Sequence, residues 1–175
     1  SITGAGTLDG FISKFDKETG HPYGASSSVE SISRRIQSVD SGHDWIADMC
    51  SSPVDPDHIY IVGATGGRLA EVVDNDGKTG NVDAFVMKIN VSTLNATWTR
   101  QLDAHSDDKT ATLARGISCV VSQDGDYVWV GGVIQEGAVL RGSGTTESFG
   151  NDDIFVGKMK ADDGEMIFAR QLGSA

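Results

Sequence analysis

Gly80-Asn81-Val82-Asp83-Ala84-Phe85-Val86-Met87-Lys88-Ile89 is the stretch that decides the fold, because its pattern occurs three times in the chain. The other copies are Gly6-Thr7-Leu8-Asp9-Gly10-Phe11-Ile12-Ser13-Lys14-Phe15 and Gly150-Asn151-Asp152-Asp153-Ile154-Phe155-Val156-Gly157-Lys158-Met159. Asp9, Asp83 and Asp153 recur at an interval of about 70 residues, which is the mark of a tandem array. On that count residues 1–8 end a preceding unit, 9–82 form the first unit, 83–152 the second, and 153–175 begin a third.

Each copy of the motif reads as a strand. The first, Asp9 to Phe15, is apolar on both faces, so it is expected to be covered on both sides. Phe11, Phe85 and Phe155 are expected to be buried at equivalent places between sheets. Downstream, Trp45–Cys50 and His58–Gly63 flank the turn Pro53–Asp57, and Gly116–Val121 and Tyr127–Gly132 flank Asp124-Gly125, a strong hairpin signal. The motif strand itself turns back through Asn90–Asn95 to Trp98–Leu102 in the second unit, and the third unit has Met166–Gly173 at the equivalent place. Counting Lys14 to Arg35 against Lys88 to Arg100 and Lys158 to Arg170 marks the Ser-rich stretch His21–Ser28 as a surface insertion. Each unit is thus four short antiparallel strands, and such a unit cannot cover both its apolar faces without neighbours. Residues 1–175 on their own are therefore expected to be unstable or to oligomerise.

The chain has 175 residues, 22 Gly and 3 Pro, with 14 basic residues against 25 acidic ones for a net charge of −11. Such a balance repels phosphate backbones and anionic membrane surfaces, which excludes nucleic acid as a partner. No apolar run approaches the roughly 20 residues of a membrane span. Ser1-Ile2-Thr3-Gly4 lacks the charged and apolar regions of a signal peptide.

The order Asp83-Ala84-Phe85-Val86-Met87-Lys88-Ile89, Trp98-Thr99-Arg100-Gln101-Leu102, Gly116-Ile117 and Tyr127-Val128-Trp129-Val130-Gly131-Gly132 resembles the SBBP-type β-propeller repeat. The resemblance covers nearly the whole chain and carries over no catalytic residue. It implies an all-β, propeller-type array of four-stranded antiparallel blades, about two complete blades with partial blades at both ends. It also implies secretion or a cell-surface place, against an organelle lumen as the alternative localisation. The implied role is binding or assembly, with protein partners, further blades of the same propeller or glycans as the occupants.

Candidate site residues are few. Asp9, Asp83 and Asp153 would ring one face of a propeller as ligands or acids, but an Asp opening a strand more often accepts hydrogen bonds from turn amides. Asp74-Asn75-Asp76-Gly77-Lys78-Thr79-Gly80 opens like a calcium loop, yet Lys78 stands where an oxygen ligand is needed and Phe85 where the closing Glu belongs. A looser Ca2+ site would use Asp74, Asp76 and Asp83, against a default of a solvated acidic turn and no cofactor. His21, His43, His58 and His105 show no metal spacing and read as loop residues. Gly63-Ala64-Thr65-Gly66-Gly67 lacks the Lys-Ser/Thr ending of a phosphate loop and reads as a turn.

Cys50 and Cys119 close equivalent strands in consecutive units. Stacked sheets lie roughly 10 Å apart, too far for a bridge, so two separate buried thiols are expected. Asn90-Val91-Ser92 and Asn95-Ala96-Thr97 are both N-glycosylation sequons on one hairpin turn, and at least one should carry sugar in a eukaryotic secretory pathway. The functional expectation is a non-enzymatic surface module. The alternative is a propeller-class enzyme acting on glycans or esters through acidic residues from several blades.

Overall fold

The computed structural model describes residues 8–23, 33–39, 42–69, 72–74, 82–105, 113–140, 148 and 150–173. Among them there is no helix, and all the regular structure they form is β-strand. The strands in chain order are β1 (Gly10–Ser13), β2 (Ser33–Ile36), β3 (Asp44–Ser51), β4 (His58–Thr65), β5 (Val72–Asp74), β6 (Asp83–Asn90) and β7 (Ala96–Leu102). They continue as β8 (Ala104–His105), β9 (Ala114–Val121), β10 (Tyr127–Ile134), β11 (Val139–Leu140), β12 (Asp153–Lys160) and β13 (Met166–Leu172).

Two antiparallel four-stranded meanders dominate, β3-β4-β6-β7 and β9-β10-β12-β13, with β5 added parallel to β7 at the outer edge of the first. Each meander begins half a sequence repeat before the Asp-x-Phe motif, so the motif strands β6 and β12 are third in their sheets. The β1–β2 hairpin holds the same place relative to its own motif. Most of the Ser-rich insertion lies outside the described residues.

Three hairpin turns share one geometry. In Asp16–His21, Asn90–Asn95 and Lys160–Glu165, the first and last residues pair by N–H to carbonyl, and the fifth N–H returns to the first carbonyl. The fifth residue is left-handed in all three, Gly20 (φ 68°), Leu94 (φ 56°) and Gly164 (φ 74°). Glycine adopts this without steric cost. Leu94 takes it with its side chain buried beneath β1–β2.

Alternation along the strands gives each sheet a front and a back. The first sheet's front, with Tyr60, Val62, Val86 and Trp98, packs on the second sheet's Val128, Val130, Phe155, Met159 and Ala169. Its back, with Ile61, Phe85, Met87 and Ile89, packs on Ile12 and Ile36 of the first hairpin. The order of stacking is therefore β1–β2, first sheet, second sheet, always front to back.

Phe85 and Phe155 are fully buried as expected, each opposite a glycine of the adjacent strand, Gly63 and Gly132. A Cβ at either glycine would collide with the ring and with a main-chain oxygen, so the ring occupies the glycine's missing side chain. Phe11 is the exception, 73% exposed, and Phe15 is 56% exposed. Among the described residues β1 pairs only with β2, so no glycine-bearing strand or further sheet covers this face. The expectation that β1 is covered on both sides is thereby corrected.

The register also corrects a sequence alignment. Ile12 faces Arg34 as Val86 faces Arg100, so Arg34 and not Arg35 is the counterpart of Arg100. Gly63, Ala64 and Thr65 belong to β4 rather than to a turn, and His58 and His105 lie in strands rather than loops.

Candidate functional site

Each of the three repeated aspartates is engaged by the strand that follows its own motif strand, and Asp83 Oδ1 also accepts from the Ala104 main-chain N–H at 3.4 Å. Asp83 Oδ2 accepts from Gln101 Nε2 at 2.8 Å, and Asp153 Oδ2 accepts from Gln171 Nε2 at 2.7 Å. Each glutamine also donates to a carbonyl of the preceding long loop, Gly67 or Ala138, both at 3.0 Å. Its Oε1 accepts from Leu69 or Leu140 N–H. In the first unit Arg35 stands where the glutamine would be and forms an ion pair with Asp9 at 3.4 Å. The Asp–Gln pair is thus a clamp that fastens the loop between second and third strands. Of the candidate calcium ligands, Asp83 is buried in this clamp, Asp74 ends β5, and Asp76 lies outside the described residues. Among the described residues no group of three or more His, Cys, Asp or Glu could hold a metal.

Burial, with repulsion from Asp103, pushes the Asp83 carboxyl up to about 6 against the hydrogen bonds that favour its charge. The unfolded chain ionises this group near 3.8 while the folded chain resists until about 6, so stability falls across that window as pH rises. Asp83→Asn keeps an acceptor for Gln101. It should flatten the fall and gain on the wild type by roughly 2 to 3 kcal/mol between the acidic and neutral ends, as checked by urea melts at stepped pH. Parallel pH profiles for the two proteins would contradict this.

A polar cluster sits between the sheets, around the carbonyl oxygen of Ala161 in the β12–β13 turn. Tyr60 Oη, Lys88 Nζ and Trp98 Nε1, all from the first sheet, donate to it, each at 3.2 Å. Arg100 adds bonds to Gly164 O at 3.1 Å and Asp163 O at 2.7 Å. One step earlier in the array, Arg34 donates to Leu94 O at 2.9 Å, in the matching turn. Gly164 has to be glycine here for a second reason, since a Cβ would press on the Trp98 ring at 2.8 Å. Burial raises the Tyr60 hydroxyl above its ordinary value and keeps it a donor.

A cleft of about 380 Å³ opens beside this junction, lined by Asp55, Lys88, Asp126, Tyr127, Lys160 and Asp162 among others. His58 Nδ1 lies 3.0 Å from both Asp55 oxygens, and Lys88 Nζ lies 3.3 Å from Oδ2. The His58 hydrogen bond first, then Lys88, holds Asp55 below the usual carboxylate range in spite of burial. Sequence reading missed this cluster, because Asp55 and His58, which meet across the β3–β4 turn, form no recognised motif, and Lys88 joins them only through the β4–β6 register.

Cys50 and Cys119 form a disulfide with Cα atoms 5.9 Å apart, which overturns the expectation of separate thiols. The two positions are not equivalent. Cys50 pairs with Tyr60 on the front of its sheet, whereas Cys119 pairs with Val130 on the back of the next. Seven residues lie between the paired Ser51 and Ile59 and six between Val121 and Val128, so equal sequence spacing conceals a one-residue offset. A one-residue offset reverses the face. The two thiols therefore point at one another across converging first strands, where the usual sheet spacing does not apply. Beside them, bulged-out Ala47 turns Asp48 toward β9, where it accepts from Cys119 N–H at 3.0 Å and Ser118 Oγ at 2.9 Å. Those bonds, the Cys119 N–H foremost, hold its carboxyl below the usual range.

Both sequons sit on the β6–β7 turn. Asn95 is exposed, and Asn90 is half-buried with its Oδ1 accepting from Ser92 and Thr93 N–H. Asp16 Oδ1 makes the same bonds to Glu18 and Thr19 in the first hairpin. In the third, Lys160 pairs with Glu165 across the turn.

No known family model matches the chain, and no curated protein matches it either.

Proposed function

We propose that the chain is an arc of an SBBP-type β-propeller serving as a non-enzymatic extracellular or cell-surface module for protein interaction or structural assembly. The observation that carries this reading is the junction at Ala161. Four side chains that could have served chemistry, Tyr60, Lys88, Trp98 and Arg100, give their donors to the main chain of the neighbouring sheet. Arg34 repeats the arrangement one step earlier. These are devices for building an array front to back, the way blades stack in a propeller. The disulfide and the sequons support an oxidising compartment.

One observation favours the enzymatic alternative. The Asp55–His58 pair opens on a cleft that also receives Asp126 and Asp162 from the second sheet. Chromogenic glycosides and esters separate the two readings when assayed on wild type, Asp55→Asn and Lys88→Met. A structural module gives no turnover above buffer in any of them, while Lys88→Met loses about 1 to 2 kcal/mol of stability through its lost bonds to Ala161 and Asp55. Turnover by the wild type that disappears in Asp55→Asn would overturn the proposal.

A further inference from the structure

We infer that the front of the second sheet docks the reverse face of the β1–β2 hairpin of a second copy of this chain, so that copies join head to tail. The inference rests on the stacked-sheet reading above and extends it to a surface and an occupant.

The first sheet's front supplies the template. There Tyr60 pairs with Lys88 and Lys88 with Trp98, and together they grip the next turn. At the same register the second sheet carries Trp129, Lys158 and Phe168, followed by Arg170 in the place of Arg100. The ring pair is already assembled, with Trp129 and Phe168 edge to face at 5.6 Å, as Tyr60 and Trp98 are tilted together at 5.9 Å. Lys158 Nζ is held over the Tyr127 and Trp129 rings at 3.6 and 5.3 Å. Ile154 and Leu172 are more than half exposed, whereas their counterparts Ala84 and Leu102 are buried by the next sheet.

The opposite end of the molecule offers the matching half. Phe11 on β1 and Phe15 just beyond it are exposed, whereas Phe85 and Phe155, the counterparts of Phe11 in the later units, lie buried against the preceding front. The Asp16–His21 turn has the geometry of Lys160–Glu165 and places the Lys17 carbonyl in the position of Ala161. Charge agrees as well. Lys158 and Arg170 would come beside Asp16 and Glu18, with Arg170 reaching the turn's carbonyls as Arg100 reaches those of Asp163 and Gly164 inside the molecule. Front meeting back is a heterologous contact, so it propagates or closes into a ring.

Two singly blocked variants test this, Phe11→Asp on the reverse face and Arg170→Glu on the front, both at exposed positions. In sedimentation from about 1 to 100 µM, wild type should exceed the mass of one chain as concentration rises. Each variant alone should need at least about tenfold more protein to associate, while a mixture of the two, having one intact face of each kind, should form a dimer and stop there. A wild type that stays monomeric across the range overturns the inference. So does a variant that associates alone as the wild type does, or a mixture that remains monomeric. Slow exchange of the Trp98 indole N–H in the same samples reports the internal junction separately, so failed self-association with Trp98 protected leaves the stacked-sheet reading standing.

Discussion

Removing the Cys50–Cys119 bridge should lower the unfolding free energy by about 4 kcal/mol and the melting temperature by about 10 °C. The bridge closes a loop spanning 69 positions of sequence, and a loop of that size loses much of its unfolded-state entropy when tied. It also joins the first strands of two sheets that otherwise meet through packing, the Asp48 bonds to β9 and the Ala161 junction. The comparison is between oxidised wild type and the Cys50→Ser/Cys119→Ser double variant, melted without reductant. A loss under about 1 kcal/mol would mean that the front-to-back packing already holds the two sheets as firmly as the bridge does.

Phe85→Ala should cost about 3 to 5 kcal/mol, because the ring is fully buried and fills the space above Gly63. Its counterpart Phe11, in the same motif position, should tolerate the same change within about 0.5 kcal/mol. The contrast matters more than either value. Two residues indistinguishable in the repeat differ because one has a sheet behind it and the other does not. Equal losses in urea melts would show that the reverse face of β1 is covered in the isolated chain.

These two cases mark where the sequence could be read and where it could not. The strand content was legible because the triplicated Asp-x-Phe motif and the Asp124-Gly125 turn impose local geometry that sequence spacing reports directly. The buried Phe85 and Phe155 followed from the same repetition. Phe11 did not, since burial is a property of the neighbour and the motif is silent about whether one is present. The disulfide was hidden by a single extra residue in the β3–β4 turn, which leaves the spacing from Cys50 to His58 and from Cys119 to Tyr127 equal while reversing the face of one thiol. The short strands β5, β8 and β11 have only two or three residues and carry no periodicity to detect. The junction was the least legible feature. Its donors come from three different strands and its acceptor is a main-chain oxygen, which has no signature in an amino-acid sequence.

That junction is also the centre of the account, and the indole protons report on it. Trp98 is 4% exposed and donates Nε1–H to Ala161 O across the two sheets, while Trp45 and Trp129 are half-buried at other places. At concentrations low enough to suppress association, hydrogen exchange followed by NMR should show one of the three indole protons persisting long after the other two have exchanged. Trp98→Phe should remove that signal. If all three exchange together at the rate of open indole, the sheets are not stacked front to back in solution and the account fails.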